Sequence, residues 1–357
     1  MKMVMKHTKK GKVIKYLELF AGIGGFRLAI DRAVKSLGLK SECVGFSEID
    51  SNAVKTYKAN FSVKENELDI GDINSLDSIE KIKKIPKFDV LFAGFPCQPF
   101  SLMGKKGGFE DSRGTLFFQI AKILSIKKPE FFILENVRGL KTHDGGKTFN
   151  RILEILTDNL GYNVRVEMLN SSDFGVPQTR RRLYFIGVKN KKIFQQVSGI
   201  DFKNKNIPKK FKTTWHLLER NVDEKYYLSE KLIKTILAHG SGNYWSKSEI
   251  NRLTACPLTA SMHKMHRANQ DNYFSDDFIY GKFNKENIFS VNKDKNKSRI
   301  RKITPLEAFR LQGFNDSFVK KAKNVGVSDT QLYRQAGNAI TVNVAETVLS
   351  SIFKIAV

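Results

Sequence analysis

The stretch that most constrains this chain is residues 88–101. Residues 88–93 read Phe-Asp-Val-Leu-Phe-Ala, an apolar run broken only by Asp89. The run is short, rich in Val, Leu and Phe, and lacks helical periodicity, which predicts a buried strand. Gly94 ends it, and Pro96 and Pro99 stiffen the next few residues. Cys97 therefore stands on a rigid loop just past a strand end, the edge of an open α/β sheet at which ligands bind. Free cysteine is usually a small buried hydrophobe. Two prolines within a few residues suit a side chain that is held in place better than one that merely fills space.

Other strand ends repeat the theme. Residues 16–20 predict a first strand, 21–26 a glycine-rich turn and 27–37 a helix, apolar at Ile30, Ala33, Val34 and Leu37 and stopped by Gly38. Strand, glycine turn and helix in that order form a nucleotide-site layout. The glycines depart from the G-x-G-x-x-G dinucleotide pattern. A loop with no phosphate to cradle needs glycine for close backbone approach instead.

Residues 42–46 predict a second strand, with Cys43 in the core. Glu48 stands at its end, placed to accept from ribose hydroxyls, and Asp50 could instead cap the next helix. Asp72 could receive an adenine amino group or serve only as a turn residue. Residues 104–114 are polar and glycine-bearing, a lid or an ordinary loop. A helix over 115–126 precedes a strand over 130–134. Glu135 ends that strand, and a carboxylate at the tip of a buried strand is costly unless it is paired or functional. A helix over 149–160 and a strand over 163–168 come next. Residues 178–187 join three arginines to an apolar strand, and strand alternation puts Arg180 and Arg182 on one face with Arg181 on the other.

Charge narrows the partner. The 357 residues hold 61 Lys plus Arg against 36 Asp plus Glu, a formal charge of +25. That excess predicts a polyanionic partner, nucleic acid before membrane. It concentrates in residues 189–212, with eight lysines and one acid, and 282–302, with eight basic residues and two acids. Periodicity fades between those stretches, predicting a smaller, irregular, basic domain. His263 and His266 lack further residues at ligand spacing, so no metal is expected. Cys43, Cys97 and Cys256 form no disulfide framework and no zinc pattern, which fits a reducing compartment. The first 15 residues carry six lysines and no apolar segment of the signal-peptide kind, and no apolar run approaches the length of a membrane span. Regular structure resumes at residue 301. Thr304, Pro305, Glu307 and Gly313 lay out a capped helix, and residues 335–340 precede a helix running to about residue 352.

Six separated blocks resemble, in order, those of DNA cytosine-5 methyltransferases of the bacterial restriction–modification type: residues 20–26, 94–101, 135–137, 178–187, 301–314 and 335–340. The resemblance implies an α/β fold, a Rossmann-like S-adenosylmethionine-dependent methyltransferase domain with a smaller, irregular target-recognition domain. The catalytic domain would be residues 1–190 completed by 334–357, the recognition domain 191–300, and the connecting segment 301–333. It implies Cys97 as the nucleophile at carbon 6 of cytosine, Glu135 at ring N3, and Arg180 and Arg182 orienting the base and nearby phosphate. It places Phe20, Gly22, Gly24, Glu48, Asp72, Ile73, Pro96, Asn338 and Ala339 at S-adenosylmethionine, and Gln98, Ser101 and Thr259 at DNA. The implied partner is double-stranded DNA, bound by a bacterial cytoplasmic monomer, with a cognate restriction endonuclease only as a genetic partner. No membrane and no metal are implied.

Three rival readings separate cleanly. A tRNA cytosine methyltransferase of the same fold would lack the long basic insert. A DNA-binding protein that had lost catalysis would not keep Cys97, Glu135 and both arginines. A nicotinamide dehydrogenase would leave Cys97 and the arginine block without a purpose.

Overall fold

A computed structural model describes residues 11–96, 116–203, 210–241, 244–281 and 298–356. They group into two compact units. The first holds residues up to 169, 181–205 and 344 onward; the second holds 170–180 and 206–343. These divisions fall at different places from the sequence boundaries at 190, 300 and 333.

The first unit is built on a seven-stranded sheet. Its elements run β1 (Val13–Leu19), α1 (Gly25–Ser36), β2 (Lys40–Ser47), α2 (Ser51–Asn60), β3 (Leu68–Asp69), α3 (Ile79–Lys84), β4 (Val90–Gly94), α4 (Leu116–Lys127), β5 (Phe131–Val137), α5 (Lys147–Glu154), β6 (Asn163–Asn170), β7 (Arg181–Val188) and α6 (Lys191–Ser198). The sheet order is β3-β2-β1-β4-β5-β7-β6. Strands β3, β2, β1, β4 and β5 run parallel, and β7 runs antiparallel to β5.

Strand alternation sends side chains to two covered faces. Leu17, Leu19, Leu91, Ala93, Phe132 and Leu134 pack with Ile82 of α3, Ile120 and Leu124 of α4 and Ile152 of α5. On the other face Phe92 stacks on Phe26 of α1 at 5.0 Å and meets Tyr16 at 5.6 Å. The sheet is therefore doubly wound, as the sequence reading expected.

The second unit contains α7 (Glu230–Ile236), β8 (Gly240–Ser241), β9 (Tyr244–Trp245), β10 (Tyr273–Ser275), α8 (Asp276–Tyr280), β11 (Ile300–Lys302), α9 (Pro305–Leu311), α10 (Asp316–Asn324) and α11 (Asp329–Asn338). Among its described residues the strands form two short antiparallel pairs, β8–β9 and β10–β11. Helix α9 opens with the capping box read from sequence: Thr304 Oγ1 accepts from the Glu307 N–H at 3.2 Å, and Glu307 Oε2 accepts from the Thr304 N–H at 2.8 Å. Glu307 also holds Arg301 through both carboxylate oxygens, at 2.9 and 2.6 Å, with both side chains almost wholly buried.

The last helix, α12 (Val342–Ala356), enters the first unit from residue 344, where Glu346 meets Arg32 of α1 at 3.6 Å. Among the described residues, one helical stretch, Asp329–Ala356, is long and apolar enough to cross a bilayer. It is broken at residues 339–341, and its apolar side chains, such as Leu332, Ala336, Val348 and Ile352, are buried within the protein.

Candidate active site

Five parallel strands bring their carboxyl ends to one edge of the sheet, and the loops leaving that edge carry the residues of the first unit that matter. After β1 the backbone turns left-handed at Phe20 (φ 53°) and again at Gly22 (φ 55°). Left-handed backbone costs a non-glycine residue about 1–2 kcal/mol, so the turn must be held by its surroundings. The Ala21 N–H donates to the Ser47 carbonyl at 2.9 Å, and the Gly22 N–H donates to Glu48 Oε2 at 2.8 Å. Glu48 Oε1 accepts from the N–H groups of Ile49 and Asp50, at 2.9 and 2.8 Å. Three donors thus occupy a carboxylate that offers about four acceptor positions. Room for one more donor on Oε2 is what a ribose hydroxyl needs.

Asp50 takes the capping alternative, accepting from the N–H groups of Asn52 and Ala53 at the start of α2. Ile49, between the two acids, is 77% exposed. The sequence reading passed over it, although an apolar residue between two acids was the available signal. At Gly22 a side-chain carbon would meet no atom within 4 Å, so the loop borders open space.

Asp72 is exposed, and its Oδ1 accepts from the Asn74 N–H at 2.9 Å, the turn role left open in the sequence. Ile73 is 2% exposed and packs with Leu19 and Leu76, so any cofactor contact from it must use its main chain.

The loop that carries the nucleophile candidate leaves β4. Phe95 is buried against Phe117, with ring centroids 5.6 Å apart, and Pro96 is exposed. Cys97, Gln98 and Ser101 lie outside the described residues. The root of the loop is fixed by Asn136, whose Nδ2 donates to the Phe95 carbonyl at 3.0 Å. Asn136, one residue past the candidate acid, was a second residue the sequence reading gave no role.

Glu135 is the ladder partner of Gly94, which precedes Cys97 by three residues. Because β7 runs antiparallel to β5, its first residues lie beside the last residues of β5, and Arg182 pairs with Val137. Arg182 Nε reaches Glu135 Oε1 at 3.1 Å, with side-chain exposures of 18% and 10%. The strand end thus holds an acid and a cation together, at the root of the Cys97 loop.

Arg180 corrects one expectation. β7 begins at Arg181, so Arg180 lies outside the strand and alternation does not set its direction. Its guanidinium belongs to the second unit, donating to the carbonyls of Leu258 (2.8 Å), Gly337 (3.0 Å) and Ala339 (3.0 Å). Gln178 adds a bond from Leu258 N–H to its Oε1 at 3.0 Å and one from its Nε2 to the Leu311 carbonyl at 2.9 Å. Together they fix the segment on which Thr259 stands exposed, and they fix it to the end of α11, where Asn338 is exposed and Ala339 buried. His266 pairs with Asp271 through Nδ1 at 3.0 Å.

A seven-stranded sheet of this order, with a glycine turn after β1 and an acid after β2, defines an α/β protein with a nucleotide-type site at the carboxyl edge of its sheet. Solved structures agree in fold: an Entamoeba histolytica methyltransferase, EhMeth, has a TM-score of 0.70 at 23% identity, covering 96% of this chain and 98% of that one. The S. pombe Dnmt2 methyltransferase has a TM-score of 0.70 at 22% identity, covering 95% and 98%. The chain belongs to the C-5 cytosine-specific DNA methylase family, whose profile matches residues 14–354. Relatives include the Type II methyltransferase M.NlaX of Neisseria lactamica, 40% identical over 94% of this chain and 95% of its own length. The Type II methyltransferase M.HpaII of Haemophilus parainfluenzae is 38% identical over 92% and 86%. The orphan methyltransferase M.SPRI of Bacillus phage SPR is 36% identical over 96% and 97%. The protein is accordingly a DNA cytosine-5 methyltransferase, and the family implies DNA as substrate and S-adenosylmethionine as methyl donor.

Proposed function

We propose that this enzyme methylates carbon 5 of a cytosine flipped out of duplex DNA, through a covalent bond from Cys97 to carbon 6. The observation that carries the reading is the Glu135–Arg182 pair, held at 3.1 Å beside the root of the Cys97 loop. Carbon 5 of cytosine is too electron-poor to attack a methyl group. Addition of the Cys97 thiolate at carbon 6 makes carbon 5 enamine-like and nucleophilic. Glu135 holds a proton at ring N3 and so eases the addition. Arg182 orients the base and offsets developing charge. Removal of the carbon-5 proton then expels Cys97 and restores the double bond.

S-adenosylmethionine, when bound, supplies the methyl group. Phe20, Gly22 and Gly24 form the turn against it, Glu48 accepts from its ribose, Ile49 offers an apolar face to its adenine, and Asp72 with the main chain of Ile73 borders the same base. Pro96, Asn338 and Ala339 complete the set. Inside a duplex the target carbon cannot be reached from above the ring, so the base must leave the stack. Gln98, Ser101 and Thr259 contact DNA, and the basic residues of the chain grip its backbone, which makes affinity strongly salt-dependent. Arg180 serves by shaping the Thr259 segment. The Type II relatives support a role in a restriction–modification system, and protection of host DNA by a cytoplasmic monomer is part of the same proposal.

The test uses a duplex carrying 5-fluorocytosine at the target. Fluorine leaves no proton to remove, so addition and methylation proceed and elimination stops. With S-adenosylmethionine present, a protein–DNA adduct should survive denaturing electrophoresis, and peptide mapping should place it on Cys97. Cys97→Ser should abolish it, because an alkoxide is far harder to form than a thiolate. An adduct on Cys43 or Cys256, or none on a duplex the enzyme methylates, overturns the assignment.

A further inference from the structure

Glu18 is a buried ionisable group with no part in the methyl-transfer chemistry. It lies near the end of β1, two residues before Phe20, and is 0% exposed. A carboxyl in such a place needs a reason. Its surroundings give one. Helix α1 begins at Gly25, directly after the turn, and Gly24 at its N-cap has no side chain with which to cap it. Glu18 supplies the cap from the preceding strand. Its Oε1 accepts from the Arg27 N–H at 3.4 Å, and the Phe26 N–H also donates to its carboxyl.

The second oxygen leads to α2. Glu18 Oε2 accepts from Tyr57 Oη at 3.5 Å, and that hydroxyl accepts from Arg27 Nη1 at 2.8 Å. Arg27 is committed elsewhere by its bonds to Glu67 Oε1 at 2.5 Å and Oε2 at 3.1 Å. The Tyr57 ring is also the surface on which the turn rests. A side-chain carbon at Gly24 would come within 3.0 Å of Tyr57 Cδ2 and 2.3 Å of Phe61 Cε2, so only glycine fits. Tyr57 stacks on Phe46 of β2 and tilts against Phe61. Asp31 of α1 and Cys43 of β2 complete the ionisable groups whose fields reach Glu18.

We propose that Glu18 is a positioning residue for cofactor binding: it holds both ends of the Phe20–Gly24 turn, and through Tyr57 it holds the helix on which Gly24 is seated. Glu18 touches no cofactor, being sealed. It acts through the left-handed backbone of Phe20 and Gly22 and through the α1 cap. Tyr57 belongs to the helix that Asp50 caps, two residues past Glu48. The brace therefore stands behind both arms of the site, the glycine turn and the Glu48 arm that the Gly22 N–H joins. This rests on the reading of the turn as the S-adenosylmethionine site.

Calorimetric titration with S-adenosylmethionine, alongside duplex DNA binding, tests it on the full-length protein. Glu18→Ala should weaken S-adenosylmethionine binding by about 10-fold, the scale of a lost helix cap, with duplex affinity unchanged. Glu18→Gln keeps one acceptor, for the α1 N–H groups, and turns an amide N–H to the Tyr57 oxygen; it should restore binding to within about 3-fold of the natural protein. Tyr57→Phe keeps the ring under Gly24 and removes only the hydroxyl; it should weaken binding by about 3-fold, and it decides the matter should Glu18→Ala not fold. A general loss of packing would lower duplex binding in parallel, and Gln would not rescue. The proposal is overturned by Glu18→Ala or Tyr57→Phe binding S-adenosylmethionine as the natural protein does, or by Glu18→Gln failing as Ala does. Failure of the natural protein itself to bind S-adenosylmethionine would instead remove the site reading.

Discussion

Glu18 and Glu135 occupy matching positions, near the carboxyl ends of parallel strands in one sheet, each with an arginine at hand. At Glu18 the arginine gives only its main-chain N–H, because its guanidinium is spent on Glu67 and Tyr57. At Glu135 the guanidinium itself arrives, Arg182 Nε at 3.1 Å, carried there by the reversed direction of β7. Glu18 is closed to solvent, while Glu135 keeps a tenth of its side chain accessible. Sealing turns one carboxyl into a support. On the mechanism proposed above, the opening is what lets the other meet a substrate.

The largest expected effect breaks the sealed corner. Arg27→Ala leaves Glu67, whose side chain is 1% exposed, without its cation. Removing one partner of a buried pair costs about 3–5 kcal/mol, which urea unfolding would read as a lowered midpoint. A loss within the range of ordinary surface changes, about 0.5 kcal/mol, would mean that the corner is not a tight brace.

Next comes the open corner. Glu135→Gln should slow single-turnover methyl transfer by roughly 100-fold, the usual scale for a general acid or base. The unfolding midpoint should hardly move. Near-normal transfer would erase the difference between the two acids.

A third effect titrates the sealed acid. Burial pushes the Glu18 carboxyl up to about 8, against the field of Arg27 and the main-chain N–H groups of Arg27 and Phe26, which favour the charged form. With the folded-state value raised above the unfolded one, the folded state holds its proton more tightly. This contribution is full at pH below the unfolded value and is lost as pH rises towards 8, by about 1.4 kcal/mol per unit at most. The natural protein should therefore lose more stability between pH 6 and pH 8 than Glu18→Gln does. Equal slopes would show that Glu18 is already ionised and less sealed than its exposure indicates. The smallest effect is local: Asp50→Ala removes the cap of α2 and should cost about 1 kcal/mol, measured by thermal unfolding.

Much of this was legible in the chain. The runs at 88–93 and 130–134 became β4 and β5, and the glycine turn and Glu48 met through a main-chain bond. Short apolar runs bounded by glycine mark parallel strands because both faces of such a sheet are covered. Arg180 was misread for a local reason. Alternation fixes direction only within a strand, and no feature of three consecutive arginines shows which one starts it. Arg180 instead turns to carbonyls 78, 157 and 159 residues away in sequence. Glu18 was overlooked because an acid in an apolar strand reveals its partners only after α1 and α2 have packed. Ile49 was hidden by its neighbours, since two adjacent acids draw the eye to hydrogen bonding.

The return of the last helix to the first unit has a consequence for synthesis. The sheet of the first unit is encoded before residue 206, but the helix carrying Glu346 emerges only after the second unit has been translated. At ordinary elongation rates that interval is roughly ten to thirty seconds. During it α1 lacks the ion pair that the last helix makes through Glu346, and Val344, Val348 and Ile352, all buried in the folded protein, have yet to find their places. Ribosome-bound chains ending before residue 344 should therefore be the species most in need of a chaperone. A pause in translation after residue 205 would lengthen that exposure, and supplying the last helix as a separate peptide would shorten it.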